Sequence, residues 1–564
     1  MNHPVVRLLL LGAKLLPWVA GLSWLPAVAQ AADSCQEPLT VFFASGQHPQ
    51  LDPQDFSAYR DAAQKLYEGR DHQLLWFQDG RPRFQAQAAM EALSSADNKG
   101  LRASDYAGKQ WAVWVEQLES QPGPEGECRH AWLDLALTLS SMRYVSDLRV
   151  GRVLPKKLSL DLDVEPKRLD LAAFIQELAV AEQPVQKLEA LEPGFRRYRA
   201  LLDALVRYRE LARDPEFATP LAVPKGSVRV GARYEELPRL IHRLVHWGDL
   251  PAQKPAVGAG KIYTAAIAEA IKKFQQRHGL QDDGVLGKEV FEQLNVSMEQ
   301  RVRQILLSLE RWRWMPDTLG HRPLVINVPQ FELAAFENDD QDAYQQVFDM
   351  RVIVGESYPA RQTPVFRGNL KHVVFAPYWL VPPKIQKEEM VPKILKDPGY
   401  LDRGNYEIVA DFNPASKALP ANGTNLARLQ RGELKIRQRP GARNALGEIL
   451  FLFPNNYAVY LHGTPSKSLF GKQKRDLSHG CIRVADPPAL AAHVLKQEGW
   501  DRKRIDALVA SGDRAHVNLS QPLDVYVLYT TAVAEPDGRV RFFQDLYGHD
   551  ARLAQALKLG NSKG

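Results

Sequence analysis

The sequence predicts a multidomain α+β chain. A helical N-terminal scaffold leads to a small three-helix unit, and then to a mostly-β C-terminal domain that carries a capping insertion. Three observations support this. The length of 564 residues, at about 150 residues per domain, allows three to four domains. Apolar residues recur at three- and four-residue spacing in the first half, then switch to period two with many β-branched residues from residue 323. The strand-like pattern is broken at 383–445 by polar, Pro- and Gly-containing material, about 60 residues that exceed an ordinary connection.

Composition narrows the class. Hydrophobic residues at 45% and charged residues at 24% are ordinary for globular chains and exclude disordered, collagenous and disulfide-scaffold classes. Lys plus Arg total 72 against 66 Asp plus Glu, a net charge of +6. That excess is too small for a dedicated nucleic-acid binder and suits an acidic or carboxylate-bearing substrate. Three cysteines allow one bridge at most and leave one thiol over.

Taken in order, residues 1–31 read as a secretory signal peptide. Arg7 and Lys14 precede an apolar run at 15–29 that is interrupted by Pro17 and Pro26. The run falls short of the roughly 20 residues a membrane span needs, and Ala27, Ala29 and Ala31 stand at cleavage spacing. The alternative is an uncleaved inner-membrane anchor. Export would place Cys35 and Cys128 in an oxidising compartment, where they could bridge; sequence leaves that open. Residues 35–230 form the helical scaffold, from stretches such as LDLALTLSSMRYV (133–145) and FRRYRALLDALVRYREL (195–211). Within it Arg143, Arg149 and Arg152 read as a solvated face.

Residues 231–298 form the three-helix unit. Leu237, Leu240, Ile241, Leu244 and Val245 make one stripe, and Ile267, Ala270, Ile271 and Phe274 a second, ended by Gly279. Asp282-Asp283-Gly284 reads as a turn, because the further oxygen ligands of a calcium loop are missing. A linker helix at 299–321 joins this unit to the strand-rich domain at 322–535, whose strands include PLVINVPQFELAAF, HVVFAPYWLV, EILFLF, YAVYLHG and LDVYVLYTTAV. Residues 536–564 read as a C-terminal tail.

The densest chemistry lies in YLHGTPSKSLFGKQKRDLSHGCIRV, residues 460–484, which holds His462, His479 and Cys481. Asp486-Pro487 downstream has the form of a helix start, so the cysteine sits in a strand-to-loop stretch. A free thiol, pKa about 8.5, is only a few per cent ionised at neutral pH, and an imidazole in reach removes that limit by taking the proton. Glycines at 463 and 480 allow close backbone approach, and amides around Gly480 and Cys481 could hold a developing oxyanion. On spacing alone, nucleophilic catalysis competes with a zinc site built from two His and one Cys, with a redox cysteine and with plain structural burial.

Two resemblances bear on the choice. AIKKFQQRHGLQDDGVLGKEVFEQL (270–294) resembles the second half of the peptidoglycan-binding domain of cell-wall hydrolases, through Phe274-Gln275, Gly279-Leu280, Asp283-Gly284 and Gly287. Residues 460–484 resemble the L,D-transpeptidase motif: 16 residues separate His462 from His479, and Ser478-His479-Gly480-Cys481 is complete. Val354-Gly355, Thr363-Pro364, PYWLVPP (377–383), GARNALG (441–447) and YLHGTP (460–465) extend the likeness to the large periplasmic YkuD-type members of Gram-negative bacteria. One departure is Arg483, where the general motif often has Asn.

The resemblance implies that Cys481 is the nucleophile, His462 the general base, and the Gly463 carbonyl the group that orients the imidazole. His479 would shape the site and Gly480 would contribute to the oxyanion hole. Ser478, Tyr460, Tyr378 and Trp379 would contact substrate, and Arg483 would bind a substrate carboxylate or make a structural ion pair. The implied activity is 3→3 cross-linking of tetrapeptide stems without metal or cofactor, with carbapenems as acylating inhibitors. Peptidoglycan stem peptides, glycan strands and other cell-wall synthases are the implied partners, and the periplasm the location. The alternatives are L,D-carboxypeptidase action and a wall-binding scaffold with a dormant site.

Overall fold

The computed structural model describes residues 37–120, 124–160, 162, 167–251, 260–338, 344–413, 415–535 and 537–559. The signal-peptide assignment and the Cys35 end of the expected bridge to Cys128 lie outside the described residues. Among the described residues, no helix is long and apolar enough to cross a membrane.

The N-terminal region is helical, with one short ribbon of β1 (Phe77–Gln78) and β2 (Arg81–Pro82). Its centre is α1 (Pro124–Val150). Leu135, Ala136, Leu137, Leu139, Met142 and Val145 are fully buried, because these turns are apolar on nearly every side. Asp134 is buried among them, and such a carboxylate needs donors: Tyr67 Oη donates at 2.6 Å and the Trp76 amide at 2.7 Å. The three arginines expected to be solvated are instead engaged. Arg149 pairs with Asp317 and Arg152 with Asp105, while Arg143 stacks on Phe56 at 3.7 Å.

After α2 (Arg196–Leu211) come the three helices of the small unit, α3 (Leu237–His246), α4 (Ala265–Arg277) and α5 (Lys288–Leu294). The Thr264 hydroxyl caps α4. Leu237, Leu240 and Leu244 meet Ile267, Ile271, Phe274, Val290 and Leu294 in one core. Asp283 closes the intervening turn by accepting from Gln275 and from the Val285 amide.

The helix that follows, α6 (Met298–Arg313), is more than a linker. It is buried between the scaffold and the β domain and carries Arg301, Glu310, Arg311 and Arg313 inside. Glu310 pairs with Arg313 at 3.0 Å and accepts from the Val153 amide at 2.9 Å; Arg311 reaches Asp550 at 2.5 Å. Burying charge requires such partners, so α6 ties the helical scaffold to the segment after the strand-rich domain.

The catalytic-motif domain contributes β3 (Leu324–Asn327), β4 (Glu332–Asn338), β5 (Tyr344–Gly355), β6 (Phe366–Phe375), β7 (Trp379–Leu380), β8 (Tyr406–Val409), β9 (Lys435–Gln438), β10 (Ile449–Leu452), β11 (Leu461–His462), β12 (Asp476–Ser478), β13 (Ile482–Val484) and β14 (Ala515–Leu528). In space the order β5-β13-β11-β10-β6-β14-β3-β4 returns to β5, closing a ring, with β12 added beside β5. The interior is filled by Val352, Val354, Val373, Phe375, Phe451, Leu461, Ile482, Val525 and Val527, the inward residues of alternating strands.

The insertion at 383–445, read from sequence as helix and loop, is a small subdomain with strands of its own. β7, β9 and β8 form a three-stranded sheet over a core of Val381, Met390, Val391, Ile394, Leu401, Ile408, Leu429, Leu434 and Ile436. Its strands are only a few residues long, too short for period two to emerge from the surrounding polar sequence. The segment read as a tail is also folded. β15 (Ala532–Ala534) pairs with β16 (Val540–Phe542), and the helix α8 (His549–Ala556), numbered after α7 (Pro487–Val494), packs against α6.

Candidate active site

The ring positions the motif through one strand pairing. β11 and β13 run parallel, with Leu461 beside Ile482 and His462 beside Arg483. Side chains alternate along a strand, so Leu461 and Ile482 point into the core, where both are fully buried. Tyr460, His462, Cys481 and Arg483 then share the opposite face. The Tyr460 and His462 rings lie 5.6 Å apart, and the Ile482 amide donates to the Tyr460 carbonyl.

His462 is 5% exposed, and its Nδ1 donates to the Gly463 carbonyl at 2.6 Å. A carbonyl can only accept, so the bond puts the proton on Nδ1 and leaves Nε2 as the basic nitrogen. Burial first, and the Arg483 charge second, lower its pKa to about 3. Burial pushes the Cys481 thiol up, against the amide and hydroxyl of Tyr460 and the charge of Arg483, which favour thiolate. The thiol is directed at the Ala458 carbonyl, 3.7 Å away. At rest both groups are neutral.

Arg483 faces the thiol, and burial lowers its pKa. Its Nε is buried without a hydrogen-bond partner, and no carboxylate lies in ion-pair range of it among the described residues. Of the two sequence readings, the structural ion pair is therefore not seen. Trp379, on β7, reaches the Tyr460 hydroxyl, so the root of the insertion touches the motif. Tyr378 carries two guanidinium groups near its ring, Arg437 at 4.7 Å and Arg514 at 4.9 Å, and joins the insertion to the segment before β14.

Two expectations need correction. Ser478 was expected to contact substrate, but it is 2% exposed. Its hydroxyl donates to the Cys481 carbonyl at 2.6 Å and accepts from the Gly480 amide at 3.1 Å, so it shapes the loop. The Gly480 amide, assigned to an oxyanion hole, is engaged by that bond. What Gly480 supplies is backbone freedom: its φ of +120° is strained for any residue with a Cβ. Its carbonyl accepts from Thr363 Oγ1 at 2.8 Å, and Thr363 Oγ1 in turn accepts from the Gly355 amide at 2.8 Å. Tyr547, beyond β16, donates to the Gly355 carbonyl at 2.6 Å.

His479 points at the insertion and donates through Nε2 to Glu389 at 2.7 Å; Glu389 also pairs with Arg361 at 3.1 Å. Sequence reasoning missed Glu389 and Tyr547. Glu389 sits in an unremarkable polar run, and Tyr547 lies in the segment read as a tail. Thr363 was visible only as half of a Thr-Pro landmark. The exit of the insertion presses on the motif: at Gly447, with φ of +63°, a Cβ would lie 2.5 Å from the Thr464 nitrogen. A cleft of about 390 Å³ lined by Gly447, Glu448, Thr464, Pro465 and Leu508 opens there.

Comparisons with known proteins place these features. Residues 322–515 match the L,D-transpeptidase catalytic domain (YkuD), residues 235–294 the "Putative peptidoglycan binding domain", and residues 61–205 the "Scaffold domain". A curated relative, "Putative L,D-transpeptidase" of Haemophilus influenzae, is 32% identical over 258 residues, covering 46% of this chain and 50% of the relative. The chain thus spans about half the length of the curated relative it matches. A crystal structure titled as a fused Zn-dependent amidase/peptidase/peptidoglycan-binding domain-containing protein from Clostridium acetobutylicum is 11% identical, covering 54% of this chain and 100% of that chain, at a TM-score of 0.16, too low to support a structural argument. The strand-rich domain of this chain thus matches the YkuD family of L,D-transpeptidase catalytic domains over residues 322–515, and the three-helix unit before it matches the family of "Putative peptidoglycan binding domain".

Proposed function

We propose that this chain is a cysteine-dependent L,D-transpeptidase that forms 3→3 cross-links in peptidoglycan, exported to the periplasm by the signal peptide at its N-terminus. The observation that carries this reading is the shared face of Tyr460, His462, Cys481 and Arg483, fixed by the parallel register of β11 and β13. Cys481 attacks the carbonyl between diaminopimelate and the terminal D-Ala of a tetrapeptide stem. Its proton passes to Nε2 of His462, which then protonates the departing D-Ala amine. The thioester is opened by the side-chain amine of a second diaminopimelate, which loses its proton to His462. Arg483, with no carboxylate in ion-pair range among the described residues, holds a carboxylate of the stem. The His462–Gly463 bond fixes the imidazole without a third carboxyl group.

Water in place of the amine would give L,D-carboxypeptidase action through the same thioester. The closeness of the insertion to the motif, through Trp379 and Glu389, favours transfer, since a cover limits water at a reactive acyl group. Purified tetrapeptide muropeptides separate the two. Incubation followed by mass spectrometry should give dimers with release of D-Ala, and neither product with Cys481→Ala. Tripeptides without dimers would replace the transferase reading by the hydrolytic one, and full activity of Cys481→Ala would reject both.

A further inference from the structure

We propose that Asp214, His242 and His246 form a binding site for a divalent transition-metal ion of the zinc class, at the seam between the scaffold and the peptidoglycan-binding domain. One carboxylate oxygen and two imidazole nitrogens, one from each residue, lie within 4.8 Å of one another. His242 and His246 stand one helical turn apart on α3, with ring centroids 4.1 Å apart. His242 Nε2 meets Asp214 Oδ2 at 2.8 Å.

Three features make this more than a chance hydrogen bond. His246 Nδ1 donates to the His242 carbonyl at 2.9 Å, which leaves its Nε2 unprotonated and oriented, as backbone-anchored metal-binding imidazoles are. Two His and one Asp are the ligand count and type of an open zinc site, with a position left for water or an outside ligand. With metal bonds of about 2.1 Å, the edge of a tetrahedron is about 3.4 Å, inside the span the donors already occupy. The neighbouring cations do not oppose a dication here. Arg243 is turned away onto the carbonyls of Glu216, Thr219 and Leu294, and Arg239 is neutralised by Glu216 and Glu236. Phe217 packs beside both imidazoles and gives the site an apolar wall.

Asp214 lies just past the end of α2, and the histidines belong to the first helix of the next domain. A bound ion would clip the two together. The test uses the full chain carrying Cys481→Ala, which removes the active-site thiol as a competing ligand, with Cys35 and Cys128 the two cysteines that remain. Zn²⁺ is titrated by calorimetry and counted by elemental analysis after dialysis. The expected result is one equivalent bound with a rise in Tm, and no response to Mg²⁺. His246→Gln, at an exposed position, and His242→Gln, which can still bond Asp214, should each weaken Zn²⁺ binding by about tenfold or more while keeping the zinc-free Tm. Binding unchanged in both variants, or no stoichiometric binding before mutation, overturns the proposal.

Discussion

At the scale of single residues, the resting site is uncharged, and this sets its pH behaviour. With the His462 pKa at about 3 and the Cys481 thiol pushed up, no thiolate–imidazolium pair is stored in the free protein. In the proposed reaction the proton then moves as the carbon–sulfur bond forms. Acylation by a carbapenem, used as a probe of Cys481, should therefore show no acid limb between about pH 5 and pH 7, because His462, the proposed base, is lowered to about 3 and does not titrate in that window. The rate should climb on the alkaline side as thiolate accumulates. Time-resolved intact-mass measurements across this range check it; a bell with an acid limb near 6.5 would mean a preformed ion pair. Cys481 and His462 were legible because a strand, a loop and a Gly-Cys step survive in the letters of the sequence. The role of Ser478 was not, since nothing in a motif says whether a hydroxyl faces outward or back into its own loop.

At the scale of elements, the insertion is firmly rooted and lightly latched. Its root is held by Asn444, 1% exposed, which donates to the Pro377 and Arg439 carbonyls at 3.0 and 2.9 Å and accepts from the Leu446 amide. Removing such a buried group strands several backbone partners, at about 1–3 kcal/mol each. The far contact, Glu389 with His479, joins side chains that are 32% and 36% exposed, and a pair so wet contributes about 1 kcal/mol or less. A cover built this way can lift without unfolding. Replacing residues 383–443 by a short Gly/Ser linker, with Asn444 retained, should lower the ratio of dimers to tripeptides made from tetrapeptide stems while carbapenem acylation changes little. Chromatographic product analysis measures this, and an unchanged ratio discards the lid. The sequence announced the insertion by its length and polarity. It concealed the small sheet within, whose strands of two and four residues are shorter than any reliable period.

At the scale of the whole molecule, buried histidines set the response to acid. Burial lowers His48, His493 and His549 to about 4, His462 to about 3, and His278 well below its ordinary value. Unfolded imidazoles titrate near 6.5. As pH falls from about 6.5 towards 4, the unfolded chain binds protons that the folded chain refuses, and stability drops. Asp147, raised to about 6, with Asp134 and Glu332 also raised by burial, acts in the opposite sense, but these are three groups against five. Tm should therefore fall between pH 6.5 and about 5, and His493→Phe should flatten that slope, since the His493 Nε2 is buried without a partner. A calorimetric Tm that is flat over this interval would contradict the account. The domain order was readable from periodicity, whereas the central place of α6 was not, because hydrophobic patterns score Arg301, Arg311 and Arg313 as surface. Nor could the sequence reveal that β4 and β5 seal the ring, a pairing whose register follows from packing. That seal has a consequence for the protein in a crowd. β5 and β14 are 12 and 14 residues long and, in an open sheet, strands of that length would offer backbone templates to any passing extended chain. β5 is paired to β4 over residues 344–351 and to β13 and β12 at residues 352–355, and β14 to β6 over most of its length and to β3 at residues 525–528, so the ring leaves neither strand as a free edge from end to end and its topology shortens the template on which a neighbouring copy could zip.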